Sequence, residues 1–205
     1  MNAAYHSVHG SLQESMHVFI NAGLLHHFQT NGSPAKILEI GMGTGLNVLL
    51  SIMINEDQKG AIHYTALEPH PLASDLFSSL NFCSVLNRPE LQQTFGQIHL
   101  SPFETTVYLK DNFSLEKKAQ TLQDALLPGE AYDIIYFDAF APSAQPEMWS
   151  VEVFSKLHEA LKPGGFLVTY CSKTIIRRAM EGAGFRVTKI PGPYGKREMV
   201  RAYKP

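Results

Sequence analysis

Three stretches of the chain carry residues whose types and spacing can do chemistry. The first is Glu39-Ile40-Gly41-Met42-Gly43-Thr44-Gly45-Leu46-Asn47. Glycines, lacking Cβ, let a backbone turn sharply and lie close against a ligand. The spacing G-x-G-x-G misses the dinucleotide pattern G-x-G-x-x-G by one residue. Glu39 stands two positions ahead of the first glycine. A carboxylate there repels a pyrophosphate and attracts a ligand that carries an ammonium and a sulfonium. The loop therefore favours S-adenosylmethionine over NAD, with Glu39, Gly41, Gly43, Gly45, Leu46 and Asn47 as its cofactor-binding residues. A glycine-rich turn that only lets a helix pack against a strand is the competing reading. Glu68, about 20 residues further on, suits the two hydroxyls of an adenosine ribose. Asp124 is a candidate for the adenine amino group, against the simpler role of capping a turn.

The second stretch is Asp138-Ala139-Phe140-Ala141-Pro142. Methyl transfer from a sulfonium is a direct displacement, so an amine acceptor must be neutral and aligned. A carboxylate at Asp138 can accept an N–H, orient the nitrogen and take its proton. Phe140 can stack on a uracil ring, and Pro142 stiffens the loop. Asp138 as a turn cap and Phe140 as core are the structural alternatives. The third stretch is Lys196-Arg197-Glu198, between Gly195 and the last apolar run, placed to reach phosphate or to close over the cofactor. In Pro146-Glu147-Met148-Trp149, a loop entering a helix, Trp149 reads as a packing anchor.

These stretches need a frame that brings them together. Apolar runs at Ile37–Ile40, Ile62–Leu67, Asp133–Phe137 and Phe166–Tyr170 read as buried strands, with Ile98–Leu100 and Thr106–Leu109 as shorter candidates. Amphipathic stretches at Leu46–Ile54, Pro71–Leu80, Val151–Leu161 and Thr174–Glu181 read as helices. Phe185–Ile190 and Met199–Tyr203 finish as a hairpin. Strands alternating with helices predict an α/β fold, a mostly parallel Rossmann-like sheet with an antiparallel C-terminal strand and helices on both faces. Ligands in such sheets bind at the carboxyl ends of the strands. Ile40, Leu67, Phe137 and Tyr170 therefore mark one catalytic edge.

The chain of 205 residues, 44% hydrophobic and 18% charged, suits one domain over 1–205 with its own core. Residues 1–30 read as an N-terminal extension, with the stretch from Tyr5 to Phe19 folding over the cleft as a lid. There is no leader-like segment at the N-terminus and no apolar run long enough to span a bilayer, so the expectation is a cytoplasmic protein with no membrane partner. Cys83 and Cys171 read as apolar filling. The nine histidines show no convincing metal spacing, so no metal is expected. The net charge of −2 by itself argues against a nucleic-acid partner, but its distribution is uneven. Residues 173–205 carry nine Lys and Arg against Glu181 and Glu198, a local charge of +7, and the rest of the chain carries −9. A polyanion can be held at one such face; charges scattered over several faces are the alternative.

Taken together, Tyr5-His6-Ser7 with Gly10, Glu14-Ser15-Met16-His17-Val18-Phe19, the glycine loop, Asp138-Ala139-Phe140-Ala141-Pro142, Pro146-Glu147-Met148-Trp149, Pro163-Gly164-Gly165 and Lys196-Arg197-Glu198-Met199 resemble the methyltransferase domain of bacterial MnmC-type proteins. The resemblance spans nearly the whole chain. The glycine loop is shared by many methyltransferases, while the Asp-Ala-Phe-Ala-Pro stretch is far more specific. The resemblance implies a class I S-adenosylmethionine-dependent methyltransferase acting in 5-methylaminomethyl-2-thiouridine biosynthesis at the tRNA wobble position. It further implies tRNA as partner, Asp138, Phe140 and Pro142 at the catalytic centre, and Tyr5, Arg177, Arg178, Lys196 and Arg197 on the substrate side. With Pro205 as the last residue, a stand-alone form without the FAD-dependent oxidoreductase domain is the expectation. A small-molecule methyltransferase, or a polyamine-type aminopropyl transferase, is the enzymatic alternative. A cofactor-binding scaffold is the non-enzymatic one.

Overall fold

The computed structural model describes residues 10–205. Eight strands form one sheet: β1 (Ala35–Ile40), β2 (Ile62–Leu67), β3 (Thr106–Lys110), β4 (Phe113–Lys118), β5 (Tyr132–Phe137), β6 (Leu161–Thr169), β7 (Arg186–Pro191) and β8 (Glu198–Tyr203). Their spatial order is β3-β4-β2-β1-β5-β6-β8-β7. The run β4-β2-β1-β5-β6 is parallel, while β3 and β8 run antiparallel to their neighbours. The antiparallel C-terminal strand is as expected; the antiparallel edge at β3 is an addition.

Strands inside a parallel sheet covered on both faces lose the polar alternation of a half-exposed strand. In β5, Ile134, Ile135, Tyr136 and Phe137 are all fully buried. Alternate residues serve opposite layers. Ile37, Ile134, Tyr136 and Phe166 pack with the helix Leu46–Gln58 on one face. Leu38, Ile135, Phe137 and Leu167 pack with Phe154 and Leu157 of the helix Val151–Ala160 and with Ile176 and Met180 of the helix Thr174–Gly182 on the other. Ser150 caps the helix Val151–Ala160 by accepting the Val153 N–H.

Two local expectations are corrected, and one strand has no sequence signal. Ile98–Leu100 is not a strand but the end of a helix, Gln92–Leu100. Leu91, Phe95 and Ile98 fall on one helical face and are all buried, a period that a three-residue run does not reveal. Pro71–Leu80 yields a helix only at Ser74–Ser78. β4 escapes sequence reading because it ends in Glu116-Lys117-Lys118. Lys117 is nonetheless 1% exposed, its Nζ donating to the His99 carbonyl at 2.6 Å and lying over the Phe103 ring.

Part of the N-terminal extension packs into the core. Met16–Leu25 is a π-wound helix in the core, with Val18, Phe19, Ile20 and Leu24 buried. Its Gly23 lies so close to the sheet that a Cβ there would meet the Tyr136 ring at 2.9 Å. Apolar side chains on three sides of the helix make burial, not lid motion, its stable state. Tyr5 and the first part of the expected lid lie outside the described residues.

Candidate active site

At the carboxyl end of β1 the chain turns through Gly41, Gly43 and Gly45, with φ of 85°, 50° and 71°. Side chains rarely tolerate this left-handed region, which explains the glycine spacing. The loop is braced from three directions. The Gly41 and Met42 amides donate to the Leu67 carbonyl at the end of β2. The Gly43 N–H donates to Glu68 Oε2 at 2.7 Å, and the His70 N–H to Glu68 Oε1 at 2.8 Å. His99, stacked on Phe77 at 4.6 Å, meets the Thr44 carbonyl at 3.2 Å. Nothing in the sequence singled out His99, because it comes from a helix outside every motif.

The residues fit an adenosine-bearing cofactor. A Cβ at Gly43 would meet no atom of the described residues within 4 Å, so among them the loop opens onto free space. Each Glu68 oxygen uses one backbone donor and keeps a second lone pair for a ligand hydroxyl. Leu46 is core at 5% exposure and anchors the helix that starts there. Glu39 is fully buried beneath the loop, so its link to a ligand runs through Asn47, whose Nδ2 donates to Glu39 Oε1 at 2.8 Å. Burial holds the Glu39 carboxyl well above the usual carboxylate range, with Asn47 opposing the push. Its Oε2 and the nearby Tyr64 hydroxyl close no hydrogen bond of ordinary geometry. Asp124 is exposed and bonded to the Thr121 hydroxyl at 2.6 Å, the turn-capping arrangement.

Asp138 follows β5 directly. Asn47 reaches it as well, Nδ2 to Oδ2 at 3.3 Å, so one amide ties the cofactor loop to the second motif. The Asp138-Ala139-Phe140 backbone is pinned by the Tyr170 hydroxyl, which donates to the Ala139 carbonyl at 3.0 Å, and by the Trp149 indole, which donates to the Phe140 carbonyl at 2.9 Å. Trp149 is thus both a packing anchor, edge-on to Phe137, and the clamp of this loop. The Phe140 side chain is 76% exposed, which rules out a core role. Pro142 continues the loop, half-buried. Surrounding protein raises the Asp138 pKa to about 7; Glu14 adds to the rise, and Asn47 and Lys196 oppose it. The residue is also solvent-exposed. Water screens part of that push, so its upward direction is what the chemistry uses.

Across the cleft, Lys196 pairs with Glu14 at 2.6 Å and lies over the Tyr170 ring, 4.2 Å from its centre. Glu14 and Tyr170 went unassigned in the sequence. Tyr170 had one legible signal, its place at the end of an apolar strand on the catalytic edge.

The C-terminal basic residues are divided in their partners. Arg201 donates through Nε and Nη2 to the Ala22 carbonyl at 3.0 and 2.8 Å. Lys204 binds the Leu161 carbonyl, and Lys189 pairs with Glu198. Arg177 bonds the Ser172 carbonyl and the Thr174 hydroxyl at the start of the helix Thr174–Gly182. Lys173, Arg178 and Arg197 are exposed. Backbone carbonyls thus claim part of the cluster, and its other charges stay exposed.

A family model described as S-adenosyl-L-methionine-dependent methyltransferase matches residues 89–205. Among curated proteins, the chain is 31% identical over 210 residues to the tRNA 5-methylaminomethyl-2-thiouridine biosynthesis bifunctional protein MnmC of Leptospira borgpetersenii serovar Hardjo-bovis (strain JB197), covering 96% of this chain and 31% of that protein. It is 29% identical to the protein of the same name from Cupriavidus necator, covering 98% and 32%. The chain therefore spans about a third of the length of these relatives. Among solved structures it is similar to MNMC2 from Aquifex aeolicus, with a TM-score of 0.69 at 18% identity over 95% of this chain and 60% of that one. It is also similar to SAM-bound CalS10, an amino pentose methyltransferase from Micromonospora echinaspora, with a TM-score of 0.59 at 12% identity, covering 100% and 96%. These two likenesses show the fold.

Proposed function

The chain belongs to the S-adenosyl-L-methionine-dependent methyltransferase family, and from that premise we propose that it methylates the amine of a 5-aminomethyl group on a wobble uridine, or 2-thiouridine, of tRNA. The observation that carries this reading is a carboxyl at the end of β5, tied to the cofactor loop by Asn47 and standing two residues from an exposed aromatic ring. The name of the curated relatives supports it, since it specifies a methylaminomethyl product.

When bound, the cofactor would supply an electrophilic methyl carbon on a sulfonium sulfur, which would leave as a neutral thioether. Gly41, Gly43 and Gly45 with Glu68 and Asn47 are the residues that would hold it. Asp138 accepts an N–H from the substrate amine, aims the nitrogen lone pair and takes the proton lost as the N–C bond forms. A carboxyl raised toward neutrality is a better proton acceptor at working pH than an ordinary one. Phe140 offers a face on which the pyrimidine can stack.

The test is methyl transfer to tRNA bearing 5-aminomethyluridine, read by mass spectrometry of the nucleosides, with 5-hydroxymethyluridine tRNA as control. Methylaminomethyl product on the first substrate alone is expected. Equal turnover of free amines and tRNA would replace this reading with a small-molecule methyltransferase.

A further inference from the structure

A protonated alkylamine is recognised by carboxylate oxygens at hydrogen-bond distance and by an aromatic face within about 6 Å of the cation. The cleft already holds such a cation from its own chain. Lys196 Nζ lies 2.6 Å from Glu14 Oε1 and 4.2 Å from the centre of the Tyr170 ring. Its charge also acts on Asp138. The Tyr170 wall is fixed to the residue beside Asp138 by its hydroxyl bond to the Ala139 carbonyl. Asn47, which donates to Asp138, keeps its Oδ1 buried with no donor among the described residues. Among the described residues, acceptors at this place therefore outnumber the donors.

We propose that Glu14, Tyr170 and Asp138 form an ammonium-binding recess for the substrate amine, and that the Lys196 side chain fills it until substrate displaces it. The proposal rests on the amine-methylation reading above and adds how the amine is told from a hydroxyl. An alcohol carries no charge for the carboxylates or the ring to recognise.

The local geometry favours displacement. Both partners of the Lys196–Glu14 pair are about a third exposed, and exposed ion pairs contribute little. The backbone under Lys196 is fixed: a Cβ at Gly192 would strike the Lys196 carbonyl at 2.5 Å, and the Lys196 N–H donates to the Pro193 carbonyl at 2.8 Å. Only the side chain is free to swing out, beside the exposed Arg197, where a phosphate can receive it. Once Lys196 has left, the incoming ammonium meets Glu14, the ring face and Asp138 together. Asp138 then accepts its proton and, being solvent-exposed, passes it to water, leaving the neutral amine that the displacement requires and a carboxylate free for the proton lost on methylation.

Calorimetry with 5-aminomethyluridine and 5-hydroxymethyluridine nucleosides on wild type, Lys196→Met and Glu14→Gln tests the recess. S-adenosylmethionine affinity serves as the check that each variant is folded. Removing the internal competitor in Lys196→Met should tighten aminomethyluridine about tenfold, and Glu14→Gln should weaken it about tenfold, the scale of one charged hydrogen bond. Hydroxymethyluridine should stay weak throughout. Unchanged affinity in either variant overturns the proposal, as does aminomethyluridine binding no better than hydroxymethyluridine to Lys196→Met. If tRNA is methylated while both variants bind the amine like wild type, the recess fails and the function stands. If no tRNA is methylated but amine binding follows Lys196 and Glu14, the recess stands and the function fails.

Discussion

Asp138 is where residue chemistry and local geometry meet. Asp138→Ala should lower methyl transfer by about 10²–10⁴-fold, the usual cost of a lost general base. It should leave cofactor affinity nearly intact, because the glycine loop is braced by Leu67, Glu68 and His99. Asp138→Asn keeps a hydrogen-bond acceptor but takes no proton, so it should fall between. Single-turnover assays beside calorimetry separate the two effects, and loss of cofactor binding in Asp138→Ala would move the residue into the cofactor site. The raised pKa also fixes a sign for stability. A carboxyl that titrates near 7 when folded and near 4 when unfolded favours folding only while protonated. That contribution is complete below about pH 4 and is lost as pH rises through about 7. Asp138→Asn should therefore gain melting temperature over wild type at pH 8 and show less gain at pH 5; equal gains at both would mean the carboxyl is not perturbed. Asp138, Phe140 and the glycines were legible because each lies directly after a strand on the expected edge. Glu14 and Lys196 meet only because β8 returns antiparallel beside β6 and a core helix delivers Glu14, a pairing across 182 positions that no local pattern encodes.

At the scale of elements, the glycine loop and the N-terminal helix make contrasting predictions. Gly43→Val should abolish cofactor binding and cost stability only through its left-handed backbone, φ 50°, since its Cβ meets no atom of the described residues within 4 Å. Gly45→Val should lower stability as well, by about 1–3 kcal/mol, because its side chain meets His99 and Ile98 at 3.2 Å. A Gly43→Val protein that binds S-adenosylmethionine normally would remove the loop from the cofactor site. Phe19→Ala, in the helix Met16–Leu25, should cost about 3–5 kcal/mol in urea unfolding, as for other buried aromatics. A cost below about 1 kcal/mol would return that helix to the role of a loose cover. The strands β1, β2, β5 and β6 could be read because a doubly covered strand is apolar without interruption. The N-terminal helix carries a similar apolar run, Val18-Phe19-Ile20, but lies outside the alternating pattern, so its place in the core could not be read from periodicity alone. β4 was hidden because its buried lysine is neutralised not by an acid but by the His99 carbonyl and the Phe103 ring.

For the whole molecule, the proposed tRNA substrate raises the question of how a chain of net charge −2 would attract a polyanion. Local charge decides, and the fold divides the basic C-terminal residues into two groups. Arg201 and Lys204 satisfy the backbone carbonyls of Ala22 and Leu161, and Lys189 answers Glu198. Lys173, Arg178 and Arg197 are exposed on the helix Thr174–Gly182, at its approach and on the β7–β8 turn. Each phosphate contact adds roughly 0.7–0.9 to the slope of log affinity against log salt. Replacing Lys173, Arg178 and Arg197 together by Ala should therefore flatten the slope for tRNA by about 2, without changing S-adenosylmethionine affinity. Arg201→Ala removes the same formal charge but should act differently. It leaves the Ala22 carbonyl without its two donors and should cost about 1.5–3 kcal/mol of stability, while the salt slope stays close to wild type. Filter-binding titrations over a range of salt, paired with thermal unfolding, measure both. Equal slopes in wild type and the triple variant would show that RNA docks elsewhere. A flattened slope in Arg201→Ala would mean that total charge, not its placement by the fold, governs the encounter.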